Sequence, residues 1–298
     1  MKTEALFETT ARPVEMKRSD WLLGVIGVLK PRETSLLVFI GFCSAVVAGG
    51  GQPEAGNLGL ALAAITLGSA GANGLTNYLD RQVDGRMQRT VRRALPAGLV
   101  KPPEKVLPLL LALLIAGLAL AWLLHPLAFV AGLVGTIAAV IARKTWATHI
   151  LGGVSGAAPV AVGWLAIDHS PGLPLLLLSL LIMVWVPIHV WSLMMAYRKD
   201  YLKAGVNMFP VTRPVSQAIK VFPVLSAALY GLSIGLWQAA DFGWFYFALA
   251  NVLGLAVFLA SLRLLKSGVG WDAWRIYKLS AYPYLGLIFL AMCIDLWL

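Results

Sequence analysis

Charge is what this sequence has least of. Asp, Glu, Lys and Arg make up 13% of its 298 residues, against roughly 25% in an ordinary soluble domain. Cysteine occurs twice. Cys43 and Cys293 lie far apart inside apolar stretches, which excludes a disulfide framework and points to free, buried thiols. There is no Walker-type phosphate loop, no HExxH, no CxxC and no GxSxG elbow, so the common signatures of P-loop nucleotidases, zinc proteases, dithiol centres and serine hydrolases are absent. Repeats of 20–50 residues and low-complexity segments are also lacking. Residues 1–20 carry Glu4, Glu8, Glu15 and Asp20 without an apolar core. They fit neither a secretory signal nor a transit peptide, and a bacterial or archaeal plasma membrane is the expected home.

Long apolar runs take the place of charge: 59% of the residues are hydrophobic. Runs of about 20 apolar residues read as membrane-crossing helices. Nine are expected, near 34–50, 57–79, 105–124, 126–142, 149–167, 173–195, 216–238, 244–265 and 280–297. The predicted class is therefore all-α, a polytopic membrane bundle. It forms a single domain over 31–298, preceded by a tail and a short interfacial helix within 1–30, where Lys17, Arg18 and Asp20 oppose Trp21, Leu22, Val25, Ile26 and Leu29.

The connections alternate in composition. The turns near Gln52, His125, Ser170 and Asp241 hold no Lys or Arg, whereas 80–104, 143–148, 196–215 and 266–279 are basic. All 24 Lys and Arg fall on one side of this scheme or at its boundary. The positive-inside rule makes that side cytoplasmic, with the N-terminus in and the C-terminus out. The net charge of +10 then needs no nucleic acid, since anionic lipid is a sufficient partner.

Two basic connections carry candidate chemistry. In TNYLDRQVDGRMQRTVRR, residues 76–93, Asn77, Asp80 and Asp84 share one helix face, with the aspartates one turn apart. Close carboxylates near a bilayer call for a cation between them, and Mg²⁺ takes hard oxygens together with substrate phosphates. Arg81, Arg86, Arg89, Arg92 and Arg93 follow, which suits a metal-bound diphosphate. The second connection supplies Tyr197, Arg198, Lys199, Asp200, Tyr201 and Lys203. If the two connections face each other, Asp80, Asp84 and Asp200 form an acidic cluster. Each stretch also reads as an ordinary positive-inside loop. WVPIHVW places His189 between Trp185 and Trp191 inside a span, where a histidine ligates, relays protons or bonds a neighbouring helix. His149 is a weaker candidate, and His125 and His169 belong to the opposite face. The small residues of GGVSGAAPVAVGW, 152–164, serve close packing first, with room for a flat substrate or an isoprenoid tail as the alternative.

The paired-Asp stretch resembles the first signature of the UbiA superfamily of intramembrane prenyltransferases. LKPRETSLLVF at 29–39, NYLDRQVDGRMQRTVRRALPAG at 77–98, WVPIHVW with KDYLKAGVNMFPV between 185 and 211, and AWRIYKLSAYPYLGLIF near the C-terminus resemble its haem-directed branch. The resemblance implies nine helices around a cavity open to the membrane. It implies Mg²⁺-assisted transfer of a farnesyl group from farnesyl diphosphate to a vinyl group of haem B, giving haem O, with a downstream haem A synthase or an oxidase assembly factor as a possible partner. It assigns metal-bound diphosphate to Asn77, Asp80, Asp84 and Asp200. Arg81, Arg89, Arg93, Arg198, Lys199, Lys203, Tyr197 and Tyr201 would surround the substrate, with His189 and Trp191 on the haem side. Two departures stand out: Thr76 occupies a place where the family commonly has asparagine, and the second connection has one aspartate where many quinone-directed members have more. A UbiA-type enzyme acting on an aromatic acid or a quinone precursor is the rival enzyme. A transporter or haem-binding membrane protein is the rival of a different class, and the gathering of polar residues at one face speaks against it.

Overall fold

The computed structural model describes residues 18–144 and 147–298. Every regular element among them is helical. A short helix, α1 (Arg18–Val28), precedes α2 (Pro31–Ala48) and the long α3 (Ala55–Asp84). A 3₁₀ turn at Pro103–Val106 leads into α4 (Leu107–Leu124), followed by α5 (Pro126–Ala142), α6 (Thr148–Leu165) and α7 (Leu173–Ala196). Two short helices, α8 (Arg198–Lys203) and α9 (Val215–Ala218), precede α10 (Val221–Ala239) and α11 (Trp244–Ser267). The chain ends with α12 (Gly270–Leu279), a π-helical stretch (Ser280–Gly286) and α13 (Leu287–Asp295).

The sequence punctuates these helices by recognisable means. Proline stands in the first turn of α2, α4, α5 and α7, where its missing N–H would have no helical partner anyway. Glu54 caps α3 by accepting from the amides of Gly56 and Asn57, both at 3.1 Å. Gly268 ends α11 with φ 62°, a left-handed conformation that glycine adopts without a Cβ clash.

Seven helical stretches are long and apolar enough to cross a membrane. Pro126–Ala142 falls just short in length, and the glycine-rich α6 is not among the seven. The outward faces stay apolar: Ile115 and Val224 are about two-thirds exposed and Leu123 three-quarters. A soluble bundle would cover such faces, whereas lipid is their natural solvent. The last stretch differs from its expected bounds. Residues 270–279, read from sequence as part of a basic connection, are helical and join the final helix through the π turn, giving one element from Gly270 to Asp295. Pro283 interrupts the hydrogen-bond ladder there, and Ala281 leaves helical geometry at ψ −119°.

Neighbouring helices form a closed circuit. α2 packs on α3 and α6, α3 on α4, α4 on α5 and α5 on α6. The circuit then runs through α7, α10 and α11 to α12 and α13, and α13 returns to α2. Small residues set the close approaches: a Cβ on Gly71 would lie 2.8 Å from the Leu110 carbonyl oxygen, so a larger residue would push α3 and α4 apart. The connections sort to two ends. At one end, Asp200 bonds the 88–89 backbone while Arg143 and Lys144 reach Asp80 and Asp84. At the other, the Trp297 indole donates to the Gly51 carbonyl at 2.8 Å, and the His125 and His169 rings stack 4.3 Å apart. The basic and Lys/Arg-free connections separate as their composition predicts.

Of the expected interfacial helix, residues up to 17 lie outside the described segments. α1 itself buries Val25 and Val28 against Leu95, Val100, Val106 and Leu110, and it leaves Leu22, Leu23 and Ile26 exposed. It therefore clamps the first basic connection to the start of α4.

Candidate functional site

The C-terminal end of α3 carries Asn77, Asp80 and Asp84 on one face, as the spacing predicts. What faces them comes largely from elsewhere in the chain. The Lys144 ammonium sits 2.5 Å from Asp84 Oδ1 and 3.8 Å from Asp80 Oδ2, spanning both carboxylates. Arg143 approaches Asp80 Oδ1 at 3.7 Å, and Arg93 donates to Asp84 Oδ2 at 2.9 Å. Two carboxylates thus meet three cations, and the pair is over-compensated by one charge. Asp84 is 1% exposed and could not stay charged without such partners. Lys30 adds a fourth cation nearby, its ammonium 3.5 Å from the Thr76 hydroxyl. Burial, reinforced by the Arg93 charge, lowers the Lys30 pKa to about 8.

Asn77 is buried and donates its amide N–H to the Val28 carbonyl at 2.8 Å, while its Oδ1 has no hydrogen-bond partner. A buried acceptor without a donor is costly unless a ligand completes it. A small cleft touches Asn77, Asp84 and Arg93. Asn77 and Asp84 bring an amide oxygen and a carboxylate to this space beside the Arg93 guanidinium, and Asp80 lies on the same helix face. That suits a hard dication such as Mg²⁺, which would draw its remaining ligands from water and phosphate. The residues present fit such an ion.

The expected three-carboxylate cluster is not assembled. Asp200 accepts the backbone amides of Gln88 and Arg89 at 2.8 and 3.1 Å, so both its oxygens are taken up in fixing the turn after α3. Among the described residues no three His, Cys, Asp or Glu side chains gather as a metal group. Arg198, expected beside the diphosphate, donates to the carbonyls of Val211 and Arg213 and closes its own connection. Lys199 and Lys203 are exposed. Arg81 turns from the carboxylates to the Tyr78 carbonyl, the Tyr78 ring and Glu104. Arg89 instead joins the two connections, donating to the buried Tyr201 hydroxyl at 3.2 Å. Tyr197 lies edge-on to Trp274. The Thr76 hydroxyl donates to the Asn73 carbonyl at 2.9 Å and accepts from the Lys30 ammonium.

His189 stacks on Trp185 and packs against Tyr277, with ring centroids 4.7 and 4.5 Å away, and its Nδ1 meets the Ser280 hydroxyl at 3.1 Å. Trp191 packs with Phe209 and His149. Both expected haem-side residues therefore belong to the seam between α7 and its neighbours. Sequence reasoning missed Arg143 and Lys144, which it counted only as topological charge. The available signal was two adjacent cations directly at the end of a span, on the same side as the aspartates.

A family model for the UbiA prenyltransferase family matches residues 36–290. A protoheme IX farnesyltransferase from Desulforudis audaxviator is 35% identical over 286 residues, covering 94% of this chain and 90% of that one. Among solved structures, a digeranylgeranylglyceryl phosphate synthase superposes with a TM-score of 0.77 at 16% identity, over 93% of this chain and 99% of the other. A UbiA homolog from Archaeoglobus fulgidus bound to GPP and Mg²⁺ gives 0.64 at 16% identity, over 90% and 99%. The helical circuit, the one-turn aspartate pair and these matches converge: the chain belongs to the UbiA prenyltransferase family.

Proposed function

We propose that this enzyme transfers the farnesyl group of farnesyl diphosphate to a vinyl group of haem B, giving haem O. The observation that carries the reading is the meeting of Asn77, Asp80 and Asp84 with Arg93, Arg143 and Lys144 at the inner end of a membrane bundle. The haem specificity draws on relatives whose name is protoheme IX farnesyltransferase. Asn77, Asp80 and Asp84 would hold Mg²⁺, which when bound supplies positive charge to the diphosphate oxygens. Lys144, Arg143 and Arg93 exchange their carboxylate partners for those oxygens as substrate arrives. The allylic C–O bond then breaks, its electron pair leaving with the diphosphate. The vinyl carbon captures the farnesyl cation, and water adds to the remaining cation with loss of a proton. Asp200 holds the Gln88–Arg89 turn so that Arg93 stays aimed at the site.

The same reading places nine crossings in the plasma membrane. α5 and α6 complete the seven long stretches, since 17 residues rise roughly 25 Å, close to the hydrocarbon thickness. The basic end, with the active site and the N-terminus, is cytoplasmic, and haem O passes to an enzyme that consumes it in the same membrane. Membranes incubated with haem B, farnesyl diphosphate and Mg²⁺ should yield a pigment heavier by one farnesyl group plus one hydroxyl group, with EDTA abolishing it. Farnesylation of an aromatic acid with haem untouched would replace this reading by the rival one.

A further inference from the structure

α1 is 11 residues long, roughly 16 Å. That is about half of what a helix needs to cross a bilayer, so its place is set by what it docks on. A Cβ on Gly24 would lie 3.0 Å from Leu99 Cβ and 3.2 Å from the Leu99 carbonyl oxygen, and one on Gly27 would lie 3.5 Å from Ala94 Cβ. α1 thus lies with its backbone close against the first basic connection. The chain then turns sharply into α2 through Lys30, whose φ of 49° is left-handed, a conformation that a side chain makes costly. Partners on α2 and α3 hold this corner. A helix end leaves carbonyls without helical partners. The Val28 carbonyl accepts from the Asn77 amide at 2.8 Å, and the Leu29 carbonyl accepts from the Thr34 hydroxyl at 2.9 Å. The Thr34 oxygen in turn accepts from the Asn73 amide at 3.1 Å, and the Lys30 ammonium reaches the Thr76 hydroxyl. Asn73, Thr76 and Asn77 stand at i, i+3 and i+4, so one face of α3 grips the corner.

We infer that the corner of residues 28–34 is a positioning element: docked by α1 and stapled by Thr34, it decides which end of the Asn77 amide faces the cleft. This rests on the proposed Mg²⁺-assisted prenyl transfer and names what keeps one of its oxygen donors in order. A primary amide is nearly symmetric in shape, and turning it over exchanges an acceptor oxygen for two N–H donors. Only the oxygen is of use to a cation, and an NH₂ group turned toward the Arg93 side would put donor beside donor. A backbone carbonyl accepts and cannot donate. With the Val28 carbonyl at one end, the NH₂ group must face it and Oδ1 must face away. Oδ1 is buried without a hydrogen-bond partner, and Val28, Asn77, Asp84 and Arg93 line the same cleft. The logic is that of an outer-shell partner that sets the orientation of a ligating side chain. Here the partner is a main-chain atom 49 residues away. Its position depends on how closely Gly24 lets α1 approach Leu99 and on the Thr34 hydroxyl beside it.

The test reads binding as well as turnover. Farnesyl diphosphate affinity is measured against Mg²⁺ concentration in the full-length protein without haem, for wild type, Thr34→Val, Thr34→Ser and Gly24→Leu, each also combined with Asn77→Ala. Thr34→Val and Gly24→Leu should raise the half-saturating Mg²⁺ concentration about tenfold, the scale of a lost outer-shell partner. Thr34→Ser keeps the hydroxyl and should restore the wild-type value. On the Asn77→Ala background, Thr34→Val should add no further penalty, because no amide is left to orient. Equal penalties with and without Asn77 would mean that the corner only braces α2 against α3, and would overturn the inference. An unchanged Mg²⁺ dependence in folded Thr34→Val would overturn it too. If Gly24→Leu does not fold, the Thr34 variants decide. Haem farnesylation by the wild type together with additive penalties would keep the proposed reaction and remove the positioning role. Coupling through Asn77 in a protein that leaves haem untouched would overturn the acceptor and keep the role.

Discussion

Two connections at the basic end of the bundle look alike in sequence and behave differently in the fold. Each follows a long apolar helix, and each brings aspartate together with arginine and tyrosine. At the end of α3 the carboxylates face the side-chain cations of Arg93, Arg143 and Lys144. At the end of α7 the Asp200 carboxylate faces backbone amides, and the Arg198 guanidinium faces backbone carbonyls. Side-chain cations can swing to a new anion, whereas backbone amides stay with the turn they belong to. The first connection can therefore exchange partners with a ligand, and the second acts as the clasp that holds the first in place.

Breaking the first connection should have the largest effect. In Asp84→Asn the Lys144 and Arg93 charges lose a buried counter-ion, and turnover should fall roughly 10³-fold, with stability lowered by about 3 kcal/mol. Steady-state rates in membranes and thermal unfolding in detergent check both. Asp80→Asn, whose partners lie at 3.7 and 3.8 Å, should cost comparable activity with less stability. Wild-type rates in both variants would remove the ligand role.

Lys144 is the next test, because its ammonium sits where a cation between the two carboxylates would sit. Lys144→Met should weaken farnesyl diphosphate binding about thirtyfold, the scale of one lost charge-assisted bond near 2 kcal/mol. It should also lower the Mg²⁺ concentration giving half-maximal activity, because the competing cation is gone. Opposite shifts in these two constants are the signature. A rise in both would mean that Lys144 supports the metal site and does not compete with it.

The helices and their ends were legible because proline, glycine and apolar runs act locally, and the aspartate pair was legible because α-helical spacing puts it on one face. The partners were not. Lys144 is 60 residues from Asp84, and Asp200 is over 110 residues from the amides it accepts. No periodicity reports which charges meet across such separations. The sign of a basic loop is readable, but the direction each guanidinium takes is decided by whichever carbonyl or carboxylate the fold brings within reach, as Arg81 and Arg198 demonstrate. The final helix was read short for a related reason: Lys278, Arg275 and Asp272 look like loop residues until the Ser267–Asp272–Arg263 contacts place them on a helix.

Loosening the clasp should have a smaller effect than removing a ligand. Asp200→Ala frees two amides that a capping carboxylate satisfies, an interaction worth about 1 kcal/mol. The KM for farnesyl diphosphate should rise roughly five- to tenfold as the turn bearing Arg89 and Arg93 loosens, with Mg²⁺ dependence unchanged. A shift in Mg²⁺ dependence matching that of Asp80→Asn would return Asp200 to the ligand set and erase the contrast between the two connections.

The smallest expected effect comes from Lys30, which borders the site without pairing directly to either aspartate. Its pKa is lowered to about 8, first by burial and then by Arg93. A lowered lysine pKa means that the folded protein opposes the charged form. Below about pH 8 the amine is protonated and that cost is carried in full; it fades as pH rises toward the unfolded value of 10.5. Diphosphate reverses the balance by favouring the ammonium, so binding should take up a proton above pH 8. If only the charged form contributes, affinity should fall about fourfold between pH 7 and 8.5. Lys30→Gln should bind more weakly at pH 7 and lose that part of the slope, because it has no proton to gain. Calorimetric titrations in buffers of different ionisation enthalpy count the proton directly. An identical pH slope in wild type and Lys30→Gln would show that the titrating group is the diphosphate itself.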